Sequence, residues 1–361
     1  YQAVRAGLDA GNLALSSEAL SRLLADFPDS YNTEKAVLLT GQTVSRLGDP
    51  AAAREIFGEF VKKNPGATLK AEASLAVART YESQGKWAEA GAQYDAWLKE
   101  FTNNPARARA EFQRAQAWLR SGQQTQGMSS LTNLLERFPT NEISPLARWW
   151  VADYYFGAGN LQAAEYNYQL LFQNPAWAKT QLGYQARMMA GRVSAARRVW
   201  KDSSQYFLDL YNDTNAPQDL RMQALFAYGD NLISRDSTNK LADYEEAIRV
   251  FGRVQEAGPT NRLGLLALGQ KAVCLLQWVQ SDSGTNALQA FRELATSPYA
   301  DITARSIASV GMGVALERQT TGKTPAEQAA LMQQALGHYL DVLYFEKNLK
   351  PGEQPDLFWV R

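Results

Sequence analysis

His338 and Cys274 are the only histidine and the only cysteine in this 361-residue chain. A Ser-His-Asp or Cys-His mechanism would have to run through His338 alone. A zinc site would lack the Cys and His ligands that zinc takes, and no disulfide can close within the chain. His338 lies in Gln334-Ala335-Leu336-Gly337-His338-Tyr339-Leu340, so it reads as a half-buried structural residue. Cys274, inside Lys271-Ala272-Val273-Cys274-Leu275-Leu276, reads as a buried small apolar side chain. What remains for catalysis is carboxylates, since acid/base hydrolysis of a glycosidic bond needs only a pair of Asp or Glu. Two of them sit among aromatics: Asp153 near Trp149, Trp150 and Tyr154, and Asp230 near Tyr228. No Gly-rich phosphate loop and no EF-hand spacing accompanies them, so no cofactor is expected.

The elements that would position such groups are set by composition and repetition. Lys and Arg number 37 against 37 Asp and Glu, so no long-range field recruits nucleic acid or an anionic membrane. Hydrophobic residues at 45% and aromatics at 11% are enough for a large interior and too many for a disordered chain. The longest apolar runs, such as Ala272 to Leu276, fall far short of the ~20 residues of a spanning helix. The chain starts at Tyr1 with no Met and no leader-like segment, so a removed signal peptide or a lipid-anchored Cys would lie upstream. Length alone suggests two or three domains, unless the chain is a repeat array.

A repeat is present. Gly11, Gly48, Gly85, Gly122 and Gly159 follow one another at intervals of 37 residues. Pro28, Pro65, Thr102, Pro139 and Pro175 keep nearly the same step. The unit reads as helix, Gly turn, helix, Pro-containing loop. Seven residues before each Gly stands a small residue or Val: Val4, Gly41, Ala78, Ala115 and Ala152. A small side chain lets two helix axes approach, so the helices of each unit should cross there. The same signal continues at Gly191, Gly229, Gly269 and Gly311, with insertions expected at 237–242 and 320–327. Five, nine and twelve residues after the turn come Ala53/Phe57/Phe60, Ala90/Tyr94/Trp97, Gly127/Leu131/Leu134, Ala247/Phe251/Val254 and Ala287/Phe291/Leu294. Those spacings place each trio on one helical face, where it should form core.

The stretch Val77-Ala78-Arg79-Thr80-Tyr81-Glu82-Ser83-Gln84-Gly85-Lys86-Trp87-Ala88-Glu89-Ala90 resembles the tetratricopeptide repeat: apolar, small, Tyr, Gly, aromatic, Ala. The resemblance covers nearly the whole chain and implies an all-α, right-handed superhelical solenoid of about nine helix-turn-helix units. It reads as a single domain over 1–361, regular over about 1–175 and divergent over about 176–350. The tail 351–361, with Phe358-Trp359, would begin a further helix or cap the array. The loops Phe27-Pro28-Asp29-Ser30 and Phe138-Pro139-Thr140-Asn141 resemble those of bacterial envelope repeat proteins, the outer-membrane assembly lipoproteins and the Tol-Pal-associated periplasmic coordinators. That implies a periplasmic or outer-membrane-associated scaffold, with the cytoplasm as the alternative.

The family binds peptide or protein segments on the concave face, at positions 13, 10, 6, 3 and 2 residues before the turn Gly. In units two to five these are Lys35, Leu38, Gln42, Ser45 and Arg46; Glu72, Leu75, Arg79, Glu82 and Ser83; Arg109, Phe112, Gln116, Leu119 and Arg120; and Leu146, Trp149, Asp153, Phe156 and Gly157. The resemblance thus implies a groove with Phe112, Trp149 and Phe156 as apolar anchors. Arg79, Arg109 and Arg120 would pair there with carboxylates, and Asp153 supplies an acid. The competing reading packs the aromatics between units and leaves the arginines solvated. The run Arg187, Arg192, Arg197, Arg198 and Lys201 reads as one charged outer helix face. A different class of function stays open. An all-helical toroid glycosidase is also built of hairpins rich in Trp and Tyr, with Asp153 or Asp230 as its acids, and a solenoid can be the arm of an enzyme whose catalytic domain lies elsewhere.

Overall fold

The computed structural model describes residues 1–278, 283–344 and 349–353. These residues form 18 α-helices, with no strand among them. The chain packs as two compact units, Tyr1–Asp153 and Tyr154–Arg361. The first contains α1 (Gln2–Asp9), α2 (Leu13–Asp26), α3 (Tyr31–Arg46), α4 (Pro50–Lys63), α5 (Lys70–Ser83), α6 (Trp87–Glu100), α7 (Arg107–Arg120) and α8 (Gln124–Arg137), and the boundary falls within α9 (Ser144–Gly157). The second continues with α10 (Leu161–Gln173), α11 (Gln181–Ala196), α12 (Trp200–Asn212), α13 (Gln218–Ser234), α14 (Lys240–Ala257), α15 (Arg262–Gln277), α16 (Ser283–Thr296), α17 (Ile302–Arg318) and α18 (Pro325–Leu343). Within each unit the helices other than α9 pack chiefly on their sequence neighbours, as helical hairpins in a repeat array must.

The turn glycines do what the spacing predicts. Gly11, Gly48, Gly85, Gly122 and Gly159 all adopt positive φ, between 69° and 101°, a conformation that costs an L-residue about 1–2 kcal/mol. All five are followed directly by a helix N-cap, and at three of them the cap is made by a side chain. Asn12, Asp49 and Asn160 accept a hydrogen bond from the backbone N–H of Leu15, Ala52 and Ala163, each cap contributing about 1 kcal/mol. At the sixth turn the same left-handed geometry falls on Arg198, at φ 60°.

The crossings are as tight as the small residues require. A methyl group added at Gly41 would overlap the Phe57 ring, and one at Gly191 the Phe207 ring; at Gly229 it would stand 2.7 Å from Phe251. Gly269 and Gly311 depart from the expected crossing within a unit. Gly311 meets Phe291 of the preceding helix, while Gly269 faces Leu294 and Ile307. In units one and six a buried Ser lies five residues after the turn position. Ser16 and Ser203 each donate their hydroxyl to the crossing residue's carbonyl, Val4 O at 2.9 Å and Gly191 O at 2.7 Å. The five trios on the second helices are buried as predicted, with Phe57, Tyr94, Trp97, Phe251 and Phe291 among the largest interior side chains. Trp97 also donates its indole N–H to Ala71 O at 2.8 Å, so its polar atom is satisfied in the core.

The expected insertions fall where the period lengthens. Of the expected segments, 237–239 lie in the loop before α14 and 320–323 in the turn before α18, whose Thr324 and Glu327 form a capping box, whereas 240–242 and 325–327 already belong to those helices. Cys274 is fully buried and His338 half-buried, as expected. The Phe358-Trp359 tail lies outside the described residues.

Candidate functional site

Helical period makes the proposed groove positions unequal. In the first unit the residue just after each small crossing residue faces outward at Gln42, Arg79 and Asp153 and is half-buried at Gln116. The residue three before it turns inward: Leu38 and Trp149 are half-buried, Leu75 and Phe112 buried. Phe112, expected as an exposed anchor, is 7% exposed and packs edge-on against Trp150, ring centroids 6.4 Å apart. It is core. Phe156, on the part of α9 that belongs to the second unit, is 40% exposed.

The exposed arginines are engaged within the chain. Arg109 pairs with Glu142 at 3.4 Å, and Arg120 stacks over the Trp87 ring at 4.6 Å. Arg79 and Arg120 both act electrostatically on half-buried Glu82, whose carboxyl nevertheless titrates above its usual range because burial outweighs them. These side chains form a mixed polar stripe on α5 and α7, with no enclosed space of its own among the described cavities.

An open hollow lies in the second unit. A cavity of about 1040 Å³ opens on the first helices of three successive hairpins, α11, α13 and α15, at the upper end of the size range of small-ligand sites. Its walls repeat the register of the first unit. Three residues before Gly191, Gly229 and Gly269 stand Met188, Phe226 and Leu266, and just after the first two stand Arg192 and Asp230. The family positions, followed past the fifth repeat, would have named these residues. The signal in the sequence was the small-residue series itself. Room is left because Ala195 and Ala227, also lining the cavity, bring no bulk.

Asp230 is the chemically distinctive group in this cavity. It is half-buried, and desolvation alone pushes its carboxyl up to about 7. Each of the other buried acids among the described residues has a partner within the chain. Glu34 accepts the backbone N–H groups of Thr68 and Leu69 at 3.2 and 2.7 Å, beside the start of α5. Glu111 pairs with Arg107 and Arg137 at 3.1 and 2.8 Å. Glu165 accepts from Ser194 at 2.7 Å and pairs with Arg197, while Asp243 is held by Arg235. Asp230 has no ion pair or hydrogen bond among the described residues, and its charge helps burial to push the neighbouring Cys274 thiol up to about 12.

The basic run does not form one outer face. Arg187 lies over the Phe172 ring at 5.1 Å, Arg192 lines the cavity, Arg197 binds Glu165 and Arg198 makes the turn. A second hollow of about 830 Å³, between α15, α17 and α18, is lined almost wholly by apolar side chains including Val273, Ile307, Val310, Leu336 and Leu340. No helix among the described residues is long and apolar enough to cross a membrane, and no group of three His, Cys, Asp or Glu among them could hold a metal ion.

The family model described as tetratricopeptide repeat matches residues 38–105. The chain is similar in fold to the apo form of RapI, with a TM-score of 0.52, 11% identity and coverage of 96% of this chain and 97% of RapI. A tetratricopeptide repeat protein from Parabacteroides merdae aligns with a TM-score of 0.43, 16% identity and coverage of 84% of this chain and 98% of that one. The apo form of the quorum sensor NprR from B. thuringiensis aligns with a TM-score of 0.42, 12% identity and coverage of 93% and 96%. No curated protein matches the chain.

Proposed function

We propose that this chain is a non-enzymatic scaffold that holds a peptide or an extended protein segment against the first helices of its hairpins, with the second unit's cavity as the main site. The observation that carries this reading is register. Met188, Phe226, Leu266, Arg192 and Asp230 line one cavity and occupy the positions that the tetratricopeptide resemblance assigns to ligand contact. A wall of Met and aromatic side chains with a few polar groups suits a peptide side chain and its neighbours.

Selection of peptides about twelve residues long from a random display library tests this reading. Expected are enriched sequences that bind the wild-type chain and lose affinity for Met222→Lys, a substitution that places a charged head in the cavity while its stem can still lie on the wall. No enrichment, or binders indifferent to that change, would overturn it. An envelope location belongs to the same proposal, supported by the Phe-Pro loop motifs. Fractionation of the host, with the protein found only in the cytoplasm, would remove it.

A further inference from the structure

We propose that the cavity of the second unit is a subsite for a basic peptide side chain. A Lys ammonium or Arg guanidinium sits on the Asp230 carboxylate, and its stem and an apolar neighbour lie on Met222, Phe226 and Leu266. The inference rests on the peptide-binding reading above and names the chemistry of the segment bound.

The argument begins from charge. The cavity holds two acids and two bases, so sign alone does not select a ligand. Environment does. Arg192 is exposed, its one hydrogen bond among the described residues a weak one to the Met189 sulfur at 3.9 Å, and Arg262 is already paired with Asp301 at 3.1 Å. A hydrated or paired guanidinium gains little from an added anion. Asp230 is desolvated and unpartnered, so an incoming cation supplies what the fold withholds, a charge-assisted hydrogen bond in a low dielectric. Every fully buried acid among the described residues has a partner from within.

The cavity's other charged groups are Asp219, exposed in the first turn of α13, Arg192 of α11 and Arg262 of α15, while the buried Cys274 of α15 feels the Asp230 charge. Lys240 of α14, which acts electrostatically on Cys274, has its ammonium committed to the carbonyls of Ile233 and Arg235 at 2.7 and 2.8 Å. The apolar wall beside the carboxylate suits the methylene stem of Lys or Arg, which buries its carbons while its head seeks a partner. Because the cation needs the ionised carboxylate, binding expels the Asp230 proton, and affinity rises as pH rises through the range in which Asp230 titrates. An acidic ligand would show the opposite slope.

The test sequences the peptides from the library selection on the whole chain. It then measures their dissociation constants by fluorescence anisotropy near pH 8 and about 5.5, for the wild type, Asp230→Asn and Met222→Lys. Expected are peptides with Lys or Arg beside an apolar residue, weakened about tenfold or more by Asp230→Asn and by the lower pH. Circular dichroism of Asp230→Asn should match the wild type, with a melting temperature no lower. Enriched peptides without a basic residue, unchanged binding to Asp230→Asn, or tighter binding at low pH would overturn the subsite and leave the peptide reading standing. No enrichment, or peptides indifferent to Met222→Lys, would overturn both.

Discussion

In the first unit glycine makes the turns between helices, at Gly11, Gly48, Gly85 and Gly122, and only Gly41 is both a small crossing residue and a glycine. In the second unit the balance shifts. Glycine holds the crossings at Gly191 and Gly229, and the positive-φ turn made by Gly159 passes to Arg198 at the sixth repeat. The contrast separates two constraints that a regular repeat satisfies together. A left-handed turn residue fixes the length of the unit, and a small residue opposite a large one fixes the crossing. The second unit keeps the crossing and lets the turn vary, so the step lengthens from 37 to between 38 and 42 residues while the core trios survive. The crossing partners differ to match. Phe57, Phe207 and Phe251 stand against Gly, whereas Ala78 shares its buried cluster with Tyr94.

Substitutions at the crossings give the largest expected effects. Phe57→Ala and Phe207→Ala should each cost about 3–5 kcal/mol by emptying an equivalent site in the two units. Urea unfolding followed by circular dichroism checks this, and losses differing by more than about 2 kcal/mol would mean that the crossings are not the same device. Gly41→Ala and Gly191→Ala overpack the same contacts and should cost about 1–3 kcal/mol each.

Asp230→Asn should act in the opposite sense and only above acid pH. The unfolded carboxyl titrates near 3.8 and the folded one at about 7. Between those values the folded state retains a proton that the unfolded state has lost. Stability therefore falls as pH rises across that window, and the penalty is complete above it. Removing the charge should raise the melting temperature near pH 8, by an amount worth at most about 4 kcal/mol, and change little below about pH 4. A gain of equal size at both pH values would contradict the assignment.

Turn substitutions come next. Gly85→Ala should cost about 1–2 kcal/mol in thermal unfolding, while Arg198→Gly should stabilise by about 0.5–1 kcal/mol, since relief of the left-handed strain exceeds the entropy that Gly adds to the unfolded chain. Loss of stability in Arg198→Gly would show that its side chain holds something beyond the turn. The smallest effects belong to the exposed stripe of the first unit. Arg120→Ala should lose about 0.5–1 kcal/mol of its contact with Trp87, and Arg109→Ala less than about 0.5 kcal/mol.

The fold was legible because its determinants are short-range. A turn that needs positive φ, a cap one residue later and a small residue seven before all lie within one helical hairpin, so their spacing is written in the chain. The groove was legible in part. Spacing alone marked Arg79 and Phe112 as members of one surface, but a helix turns 100° per residue. A position three residues before the crossing faces the interior, where Phe112 meets Trp150. The basic run was misread as one face for a related reason. Arg187 and Arg197 find their partners on α10, at Phe172 and Glu165, and nothing local announces those contacts.

Asp153 and Asp230 show where the division falls. Both stand just after a small crossing residue, and both have aromatic neighbours in the chain. By itself the sequence determined that each would lie on the first helix of a hairpin, because periodicity and turn chemistry act over a few residues. Only the tertiary structure decided that Asp153 is exposed while Asp230 enters a cavity and titrates at about 7. The cost of a buried charge depends on every polar group that could reach it. For Asp230 those groups come from helices tens of residues away in the chain, and none arrives to pair with it.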